Sequence, residues 1–439
     1  MTGLQPSARW RNWARSAAVR PELVARPRNV DEVADAVRYA RQHGMRIKAI
    51  GAGHSFSGIA LAPGIQLDLT ALRGLLAVDV AAATATLAAG TTLRHIPTLL
   101  GPFGLAMENL GDIDAQTISG AISTGTHGTG SAYPGLAAQV SAVTLLTADG
   151  DLLCVDARQN PELLPAVRLG LGALGVIVDV TIQCVPAFLL QATERPEALE
   201  AVLDDFDGRW AADDHFEFYW FPHTSTALTK SNRRLDATAP REPLGVVRRW
   251  VDDTLVAGGA LSLACRLGHV APAITPGINR LATRLTGNRS FTDASPAVFT
   301  TQRSVRFREM EYALPRAAVP DALRAVRALI DARQWRISFP IEVRVAAADD
   351  LWLSTAYGRD TGYIAVHRYL RDDYQKYFRG IEAIMQGFGG RPHWGKIHFQ
   401  DAASLTRLYP RFGDFLAVRD RLDPDRVFTN SYLERVLGT

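Results

Sequence analysis

Two histidines of this 439-residue chain lie in glycine-rich segments, and the first is His54 in GAGHSFSGIA, directly after the strand-like residues 46–50. Glycine lets the backbone of such a loop approach a ligand closely, and the loop would aim the histidine at that ligand. Histidine has many structural uses, so His54 alone does not indicate catalysis. The segment also lacks G-x-G-x-x-G and the lysine of a P-loop, so neither a Rossmann site nor a nucleotide triphosphatase is supported.

The second glycine-rich segment is NLGDIDAQTISGAISTGTHGTG, residues 109–130, which contains His127. Glycine, serine and threonine alternate there with few large apolar residues, which is not typical of a core strand. Backbone amides and hydroxyls in such a segment suit a diphosphate. A flexible linker is the alternative, but apolar strands bracket the segment and STGTHGTG lacks proline and charge. We therefore expect a phosphate-bearing ligand to lie along it.

Two short motifs in the C-terminal half, IEVR and HWGK, supply Glu342, Arg344, His393 and Lys396. Surface ion pairs are the simpler explanation of such tetrapeptides. If the side chains converged, they could orient a polyhydroxylated substrate and polarise one of its hydroxyls. Composition alone leaves both explanations open.

The composition describes a globular chain of two or three domains. Hydrophobic residues make up 47% and charged residues 21%, and the net charge of +3 argues against nucleic acid as a main partner. Cys154, Cys184 and Cys265 are widely spaced without a C-x-x-C pair, so neither a disulfide framework nor a thiolate zinc site is indicated. This cysteine usage fits a cytoplasmic protein.

No export signal or membrane span is expected. The first 20 residues lack the apolar core of a secretory signal. The most apolar later stretch, Leu255 to Ile278, is interrupted by Arg266, His269 and two prolines, so it is too short for a membrane helix. We interpret that stretch as a buried helix.

The pattern of apolar residues predicts a mixed α and β chain with a boundary near Pro186. Predicted helices cover residues 30–43 and 320–333. The polar stretch from Ser231 to Pro243 is predicted to be an inserted loop. Predicted strands cover residues 46–50, 65–69, 76–80, 84–87, 216–221, 339–345 and 362–369, with a hairpin over 143–155.

Seven motifs, in order, resemble the aldonolactone oxidoreductases of the vanillyl-alcohol-oxidase flavoprotein superfamily, with gulono-1,4-lactone oxidases and dehydrogenases most similar and alditol oxidases as near relatives. The motifs are GAGHSFSGIA, NLGDIDAQTISGAISTGTHGTG, LGALGVIVDV, FPIEVR, STAYGRDTGYIAVHRY, RPHWGKIHF and LDPDRVF. The resemblance implies an α+β fold with a PCMH-type FAD-binding domain over residues 1–186. A cap domain with an antiparallel sheet and flanking helices would follow over 187–439, its segment from about 391 to 439 returning to the flavin. Nothing carries over to residues 233–260.

The resemblance also implies site residues, and no metal among them. His54 stands where such enzymes attach FAD covalently. His367 stands where alditol oxidases carry threonine, which favours the lactone branch. The implied catalytic residues are Glu342, Arg344, Lys396 and His367. The implied cofactor-binding residues are Gly51, Ala52, Gly53, His54, Ser55, Phe56, Gly111, Asp112, Gln116, Ser119, Gly120, Ser123, Thr124, Gly125, His127, Gly128, Gly172, Gly175 and Ile177.

The implied reaction is FAD-dependent oxidation of the C2 hydroxyl of an aldono-1,4-lactone of gulono, galactono or arabinono type, with hydride passing to flavin N5. Arg344 and Lys396 would stabilise the developing alkoxide, and one of them or His367 would take the proton. The reduced flavin would be reoxidised by dioxygen or by an acceptor protein or dye. Gly111, lacking a methyl beside the flavin, favours dioxygen.

Two alternatives stay open at this point. An alditol oxidase would act on a terminal CH2OH of a polyol. In a flavin- or nucleotide-binding protein without turnover, neither polyols nor lactones would bleach the flavin.

Overall fold

The computed structural model describes residues 4–6, 8–245, 259, 261–285, 287–301 and 305–439. The elements up to residue 186 are β1 (Gln5–Pro6), β2 (Trp10–Arg11), β3 (Ala18–Val19), β4 (Leu23–Ala25), α1 (Val30–Gln42), β5 (Ile47–Ile50), β6 (Ile65–Asp68), β7 (Leu75–Asp79), β8 (Thr84–Ala88), α2 (Ile96–Leu100), β9 (Leu105–Ala106), α3 (Ile118–Ser123), β10 (Val140–Leu146), β11 (Leu152–Val155), α4 (Leu164–Val167), β12 (Val176–Gln183) and β13 (Val185–Pro186).

Two sheets organise this N-terminal region. One has four strands in the order β1-β4-β6-β5, in which β6 runs parallel to both β4 and β5. The other is antiparallel, with five strands in the order β11-β10-β12-β8-β7. Helix α1 begins after Asn29, whose side chain accepts a hydrogen bond from the Glu32 amide, and it buries Val33, Val37 and Ala40. The helix predicted over residues 30–43 is thus confirmed.

The remaining elements are β14 (Phe188–Ala198), α5 (Leu199–Asp204), α6 (Phe206–Ala212), β15 (His215–Trp220), β16 (Thr226–Asp236), α7 (Leu261–Val270), α8 (Thr275–Leu285), β17 (Arg289–Ala294), α9 (Ser295–Phe299), β18 (Phe307–Pro315), α10 (Val319–Ala332), β19 (Ile341–Ala346), β20 (Thr361–Tyr369), α11 (Gln375–Gly387), β21 (Arg391–Pro392), α12 (Ala402–Leu408), α13 (Phe412–Leu422) and α14 (Ser431–Leu437). Eight of these strands form one antiparallel sheet in the order β17-β14-β16-β15-β19-β20-β18-β21. The large antiparallel sheet expected for the second region is therefore present.

Side chains alternate between the two faces of the eight-stranded sheet, as the pleat requires. Phe218, Val343 and Ile364 belong to an apolar core that also contains residues of helices α10 and α11. Glu217 and Glu342, one position away on the same strands, lie on the opposite face. That second face is polar, and it forms one wall of the site described below.

The C-terminal helices return to the N-terminal region. Tyr409, Phe415 and Leu433 belong to the same apolar core as Val37 and Leu67. The side-chain amide of Asn430 also donates to the carbonyls of residues 58, 59 and 61. The segment after residue 391 thus packs beside the His54 loop, while the exact division into two domains stays a prediction.

Two sequence expectations are wrong. The loop predicted from Ser231 is strand up to Asp236, because β16 pairs with β14 along its whole length. Of the stretch Leu255 to Ile278, residues 255–258 and 260 lie outside the described part of the chain. The rest forms α7, a short connection and the beginning of α8, with Leu263 and Val270 exposed, so it is not one buried helix. No helix in the described ranges is long and apolar enough to cross a membrane.

Candidate active site

Two neighbouring cavities contain most of the predicted site residues. The first lies between the loop after β5 and helix α3, and the second lies against the polar face of the eight-stranded sheet. His54, Ser55, Gln116 and Thr124 line both cavities. A ligand longer than either cavity could therefore extend from one into the other.

The first cavity is lined by glycines, small polar residues and aliphatic side chains, among them Ile50, Leu69 and Leu171. Among the described residues that line it, Lys48 and His54 are the only ionisable groups. Predicted cofactor residues that line this cavity are Gly51, Ala52, Gly53, His54, Ser55, Gln116, Ser119, Gly120, Ser123, Thr124, Gly172, Gly175 and Ile177. Because carboxylates are absent from this described lining, a diphosphate would meet no repulsion from them there.

Local backbone geometry explains several of these glycines. Gly53 and Gly172 have φ angles of +68° and +60°, a region that side chains rarely adopt. A Cβ on Gly51 would collide with the Thr117 side chain, which caps α3 by accepting from the Gly120 amide. The loop after β5 and the beginning of α3 are thus in close contact, and the cavity opens beside them.

Two predicted cofactor residues line neither cavity. Gly125 has a φ of +80° and forms a turn after α3. A Cβ on Gly128 would collide with the Leu110 carbonyl and the Asn109 side chain. Among the described residues, both glycines are explained by backbone geometry and close packing rather than by a place in the cavity walls.

The four predicted catalytic residues all line the second cavity, whose volume is about 350 Å³. The predicted cofactor residues in its walls, besides the shared ones, are Phe56, Gly111, Asp112 and His127. Glu342 and Arg344 come from β19, His367 from β20, and Lys396 from the turn after β21. The convergence that composition left open is therefore present in the structure.

Arg344 lies between two buried carboxylates. Its Nε is 2.7 Å from Glu217 Oε2, and a terminal nitrogen is 2.5 Å from Glu342 Oε1. Lys230 Nζ lies 3.6 Å from the other oxygen of Glu217. Burial raises the pKa of Glu217, but Arg344 and Lys230 outweigh burial and hold that pKa below its ordinary value. Arg344 is thus held in place by an ionised Glu217 and by its contact with Glu342.

Lys396 and His367 meet at one further carboxylate, that of Glu309 on β18. Lys396 Nζ is 2.5 Å and His367 Nε2 is 3.7 Å from Glu309 Oε1. Burial lowers the pKa of Lys396, but Glu309 and its neighbour Glu311 reverse this and raise the pKa overall. Lys396 therefore stays an ammonium ion at neutral pH.

The tautomer of His367 follows from its other contact. His367 Nδ1 lies 3.0 Å from the Pro340 carbonyl, which can only accept a hydrogen bond. Nδ1 therefore carries the hydrogen, and in the neutral ring Nε2 has the lone pair. Nε2 is on the side of the ring that approaches Glu309, within the second cavity.

A third group in this cavity contains two histidines. His127 Nε2 lies 3.2 Å from Glu311 Oε1, and its Nδ1 lies 2.9 Å from the Gly128 carbonyl. The ring stacks on Tyr363 with centroids 3.6 Å apart. His393 lies nearby, and its Nδ1 accepts from the Gly395 amide. One potential metal-ligand atom from each of His127, Glu311 and His393 lies within 4.8 Å of the other two.

His54 has a different environment from the other histidines of the site. Burial, and then the positive charges of Arg94 and Lys396, lower its pKa to about 4. The ring stacks on Trp13, with centroids 5.5 Å apart and an interplanar angle of 21°. His54 is therefore neutral at physiological pH and is held by an aromatic neighbour.

Several residues in or behind the second cavity were missed by the sequence analysis. Trp13, Glu309 and Glu311 line the cavity itself, whereas Glu217 and Tyr219 contact Arg344 from behind it and Lys230 contacts Glu217. A signal existed for the acids, because FEFYW and FREMEYALP place glutamates at alternate positions between large apolar residues. In a strand, that alternation predicts a polar face opposite the core.

The pair of cavities fits FAD. The first offers glycine walls and backbone amides for a diphosphate, and the second offers aromatic side chains of Trp13, Phe56 and Phe307 with polar groups around them. A model of the FAD-binding domain matches residues 21–156. The prediction that the chain binds FAD is thereby confirmed.

Comparison with known proteins gives a consistent result. The family described as D-arabinono-1,4-lactone oxidase matches residues 180–436. The chain is 44% identical over 429 residues to an L-gulono-1,4-lactone dehydrogenase of Mycobacterium tuberculosis, covering 98% of this chain and 99% of the relative. It is 35% identical to an L-gulonolactone oxidase of Bos taurus, covering 98% of both, and 31% identical to a D-arabinono-1,4-lactone oxidase of Eremothecium gossypii, covering 78% and 67%.

Solved structures of cholesterol oxidases share the fold. The enzyme from B. sterolicum superposes with a TM-score of 0.81 at 18% identity, covering 99% of this chain and 97% of that one. A solvent-stable cholesterol oxidase gives 0.82, also at 18% identity, with 100% and 98% covered. The predicted α+β, PCMH-type fold is confirmed. With the family match over residues 180–436 and the 44% identity along nearly its whole length, the chain belongs to the aldonolactone oxidoreductase family of FAD-dependent enzymes.

Proposed function

We propose that this protein oxidises the C2 hydroxyl of an aldono-1,4-lactone to a carbonyl, using FAD. The observation that carries the proposal is the convergence of Arg344, Lys396 and His367 on one cavity beside the glycine-walled cavity. Two cations, and a histidine whose neutral form has its lone pair on Nε2, suit the removal of a proton from a hydroxyl. Bound FAD would supply the acceptor for the hydrogen and electron pair on the carbinol carbon.

In this proposal the first cavity holds the diphosphate part of FAD. The amides of the loop 51–55 and the Ser123 hydroxyl would bind it, and Gly120, whose amide already donates to Thr117, would let it approach helix α3 closely. We propose that FAD is also attached covalently through His54. The low pKa supports this role, because the attacking nitrogen must be unprotonated. The FAD-binding domain would cover residues 1–186 and the cap domain residues 187–439, with the segment from about 391 returning to the cofactor.

The cations of the second cavity would bind the hydroxyl that reacts. Arg344 is oriented by Glu217 and Glu342, and Lys396 is oriented by Glu309. Neither cation is a suitable base, because the guanidinium does not lose its proton and the pKa of Lys396 is raised. Their part would be to stabilise negative charge on the substrate oxygen as its proton leaves.

His367 is the better candidate for the base. Its Nδ1 hydrogen is engaged by the Pro340 carbonyl, so Nε2 can accept the proton of the C2 hydroxyl. Glu309, 3.7 Å away, would then stabilise the imidazolium ion. Glu342 would act by orienting Arg344 rather than by moving a proton.

The electron acceptor is a separate part of the proposal. We propose dioxygen, with an acceptor protein or dye as the alternative, since Gly111 lines the second cavity without a side chain. A Cβ on Gly111 would lie 3.1 Å from the His127 carbonyl and 3.2 Å from Thr126 Cγ2. Stopped-flow reoxidation of wild type and Gly111→Ala tests this: equal rates with dioxygen exclude Gly111 as the gate, and a negligible wild-type rate makes this a dehydrogenase.

Anaerobic mixing of the purified holoenzyme with candidate substrates tests the function. Gulono-, galactono- and arabinono-1,4-lactones should bleach the flavin absorbance, and their kcat/KM values should exceed those for xylitol and sorbitol. A preference for the polyols would reject the lactone assignment. Absence of bleaching by every lactone and polyol would reject turnover of this substrate class.

A further inference from the structure

Residues 10–17 form a clamp across the His54 loop, and they lie before the part of the chain that the FAD-binding domain model matches. Strands β2 and β3 pair on either side of the turn that closes the clamp. Within the turn, the Asn12 amide donates to the Ala17 carbonyl and Arg15 has a φ of +52°. The clamp is therefore a defined small structure.

Three hydrogen bonds join the clamp to the His54 loop, and a fourth links Asn12 and Ser16 within the clamp. The Trp13 amide donates to the Gly53 carbonyl over 2.8 Å, and the Asn12 side-chain amide donates to the Ser55 carbonyl over 2.9 Å. The Ser16 hydroxyl donates to the Phe56 carbonyl over 2.6 Å and accepts from Asn12 over 2.9 Å. The backbone on both sides of His54 is thus bonded to residues 12–16.

The tightness of this contact is visible at Gly53. A Cβ there would lie 2.9 Å from the ring of Trp10, and the φ of +68° already disfavours a side chain. The clamp and the loop therefore approach each other more closely than two ordinary segments could.

The Trp13 indole is the part of the clamp that touches the His54 ring. The two rings are nearly parallel, with centroids 5.5 Å apart. Trp13 is itself held edge-on by Phe307, at 5.3 Å, and by Phe56, at 6.1 Å. Phe307 is part of β18. The contacts from Phe307 through Trp13 therefore fix the plane of the His54 ring relative to the sheet that carries the catalytic residues.

We propose that Trp13 is a positioning residue that sets the plane of the His54 imidazole for covalent attachment of FAD. This inference rests on the proposed attachment through His54. Attachment joins a ring nitrogen to the flavin 8α carbon, so one N–H and one C–H bond break. Two protons are released, and the two electrons leave through the flavin to dioxygen or another two-electron acceptor.

The chemical need for such positioning is general. The imidazole lone pair lies in the plane of the ring, so a nitrogen can attack the 8α carbon only when that plane contains the carbon. An unsupported histidine rotates about its side-chain bonds, and misplacement by about 1 Å can cost 10²-fold in rate. A stacked indole restricts this rotation without competing for the nitrogen lone pair.

The experiment measures acid-stable flavin per total bound flavin in purified holoenzymes. Trp13→Leu keeps apolar contact with Phe56 and Phe307 but removes the stacking ring, whereas Trp13→Phe keeps an aromatic face. Trp10→Leu is the matched control, because Trp10 contacts the same loop at Gly53. Thermal unfolding of each protein reports on the fold independently of attachment.

We expect wild type, Trp10→Leu and Trp13→Phe to carry mainly acid-stable flavin. Trp13→Leu should bind FAD but attach it at least ten-fold more slowly, so most of its flavin is released by acid. Equal attachment in Trp13→Leu and wild type would overturn the inference and leave the His54 linkage intact. So would equal slowing in Trp10→Leu and Trp13→Leu, which indicates general loosening. Acid release of all flavin from wild type would instead reject the linkage, and this inference with it.

Discussion

The two cavities of this site are built in opposite ways. The first is lined mainly by glycine, alanine, serine and aliphatic residues in short segments of the chain, with two ionisable groups among the described residues of its lining. The second is lined by ionisable side chains from three separate strands of one sheet, among them Glu309, Glu342, Arg344 and His367. The first cavity is suited to recognising a cofactor by its shape, and the second to stabilising charge that develops during a reaction.

This difference has a consequence for mutation. In the second cavity each cation has a carboxylate partner, and removing one member leaves a buried charge behind. Most side chains in the first cavity carry no charge, so removing one of them leaves no unpaired charge behind. Substitutions should therefore affect catalysis most in the second cavity and affect cofactor binding or stability most in the first.

The largest effect is expected for Arg344→Ala. The change removes a stabilising cation and leaves Glu217 and Glu342 without it, so kcat/KM for a lactone should fall by about 10²–10⁴ while the flavin spectrum is retained. Arg308→Ala, in which a guanidinium that packs on Tyr374 is lost from the same sheet, serves as the control and should stay near wild type. Near-normal turnover of the Arg344 variant would remove it from the catalytic set.

The next effect concerns the base. His367→Asn should lower kcat by about 10²–10³, since no group at that position could then accept the hydroxyl proton. The rate of flavin reduction in a single turnover measures the step in which the proton leaves. If His367→Asn reduces its flavin at a rate close to that of wild type, another group is the base.

The contrast between the cavities also explains what could be predicted from sequence. The loop around His54 and the segment around His127 are each one continuous stretch of sequence, so their composition already indicates ligand binding. Glu217 and Glu309 are 92 positions apart, and strand order brings both into contact with cations of one cavity. The contact of Asn12 and Trp13 with the His54 loop was not predictable, because it depends on tertiary packing.

A smaller effect is expected for Glu309→Gln. This carboxylate helps to raise the pKa of Lys396 against the effect of burial, so removing its charge should lower that pKa. The alkaline limb of the kcat/KM profile should therefore move to lower pH, by about one unit or more. Glu217→Gln is the matched control. It removes the same charge from the same face of the sheet, but beside Arg344 rather than beside Lys396. An equal shift of the alkaline limb in both variants would contradict a specific pairing of Glu309 with Lys396.

The smallest effect lies in the first cavity, at Lys48. This buried side chain donates to the Gly172 carbonyl over 2.7 Å and to the Phe428 carbonyl over 3.3 Å, so it joins the cavity wall to the returning C-terminal segment. Burial, and then the positive charge of Arg419, lower its pKa to about 7, whereas Lys in an unfolded chain has a pKa of 10.5.

Between pH 7 and 10 the unfolded chain therefore keeps a proton that the folded protein has lost, and the linkage relation makes the free energy of unfolding rise with pH. Below pH 7 both states hold the proton, and this contribution no longer changes. Lys48→Met lacks the group, so the difference in unfolding free energy, wild type minus variant, should increase from pH 7 to 9 by up to about 1.4 kcal/mol per pH unit. Urea unfolding of both proteins at pH 6, 7, 8 and 9 measures this difference. A difference that is constant over the whole range would mean that Lys48 remains protonated in its cluster of carbonyls.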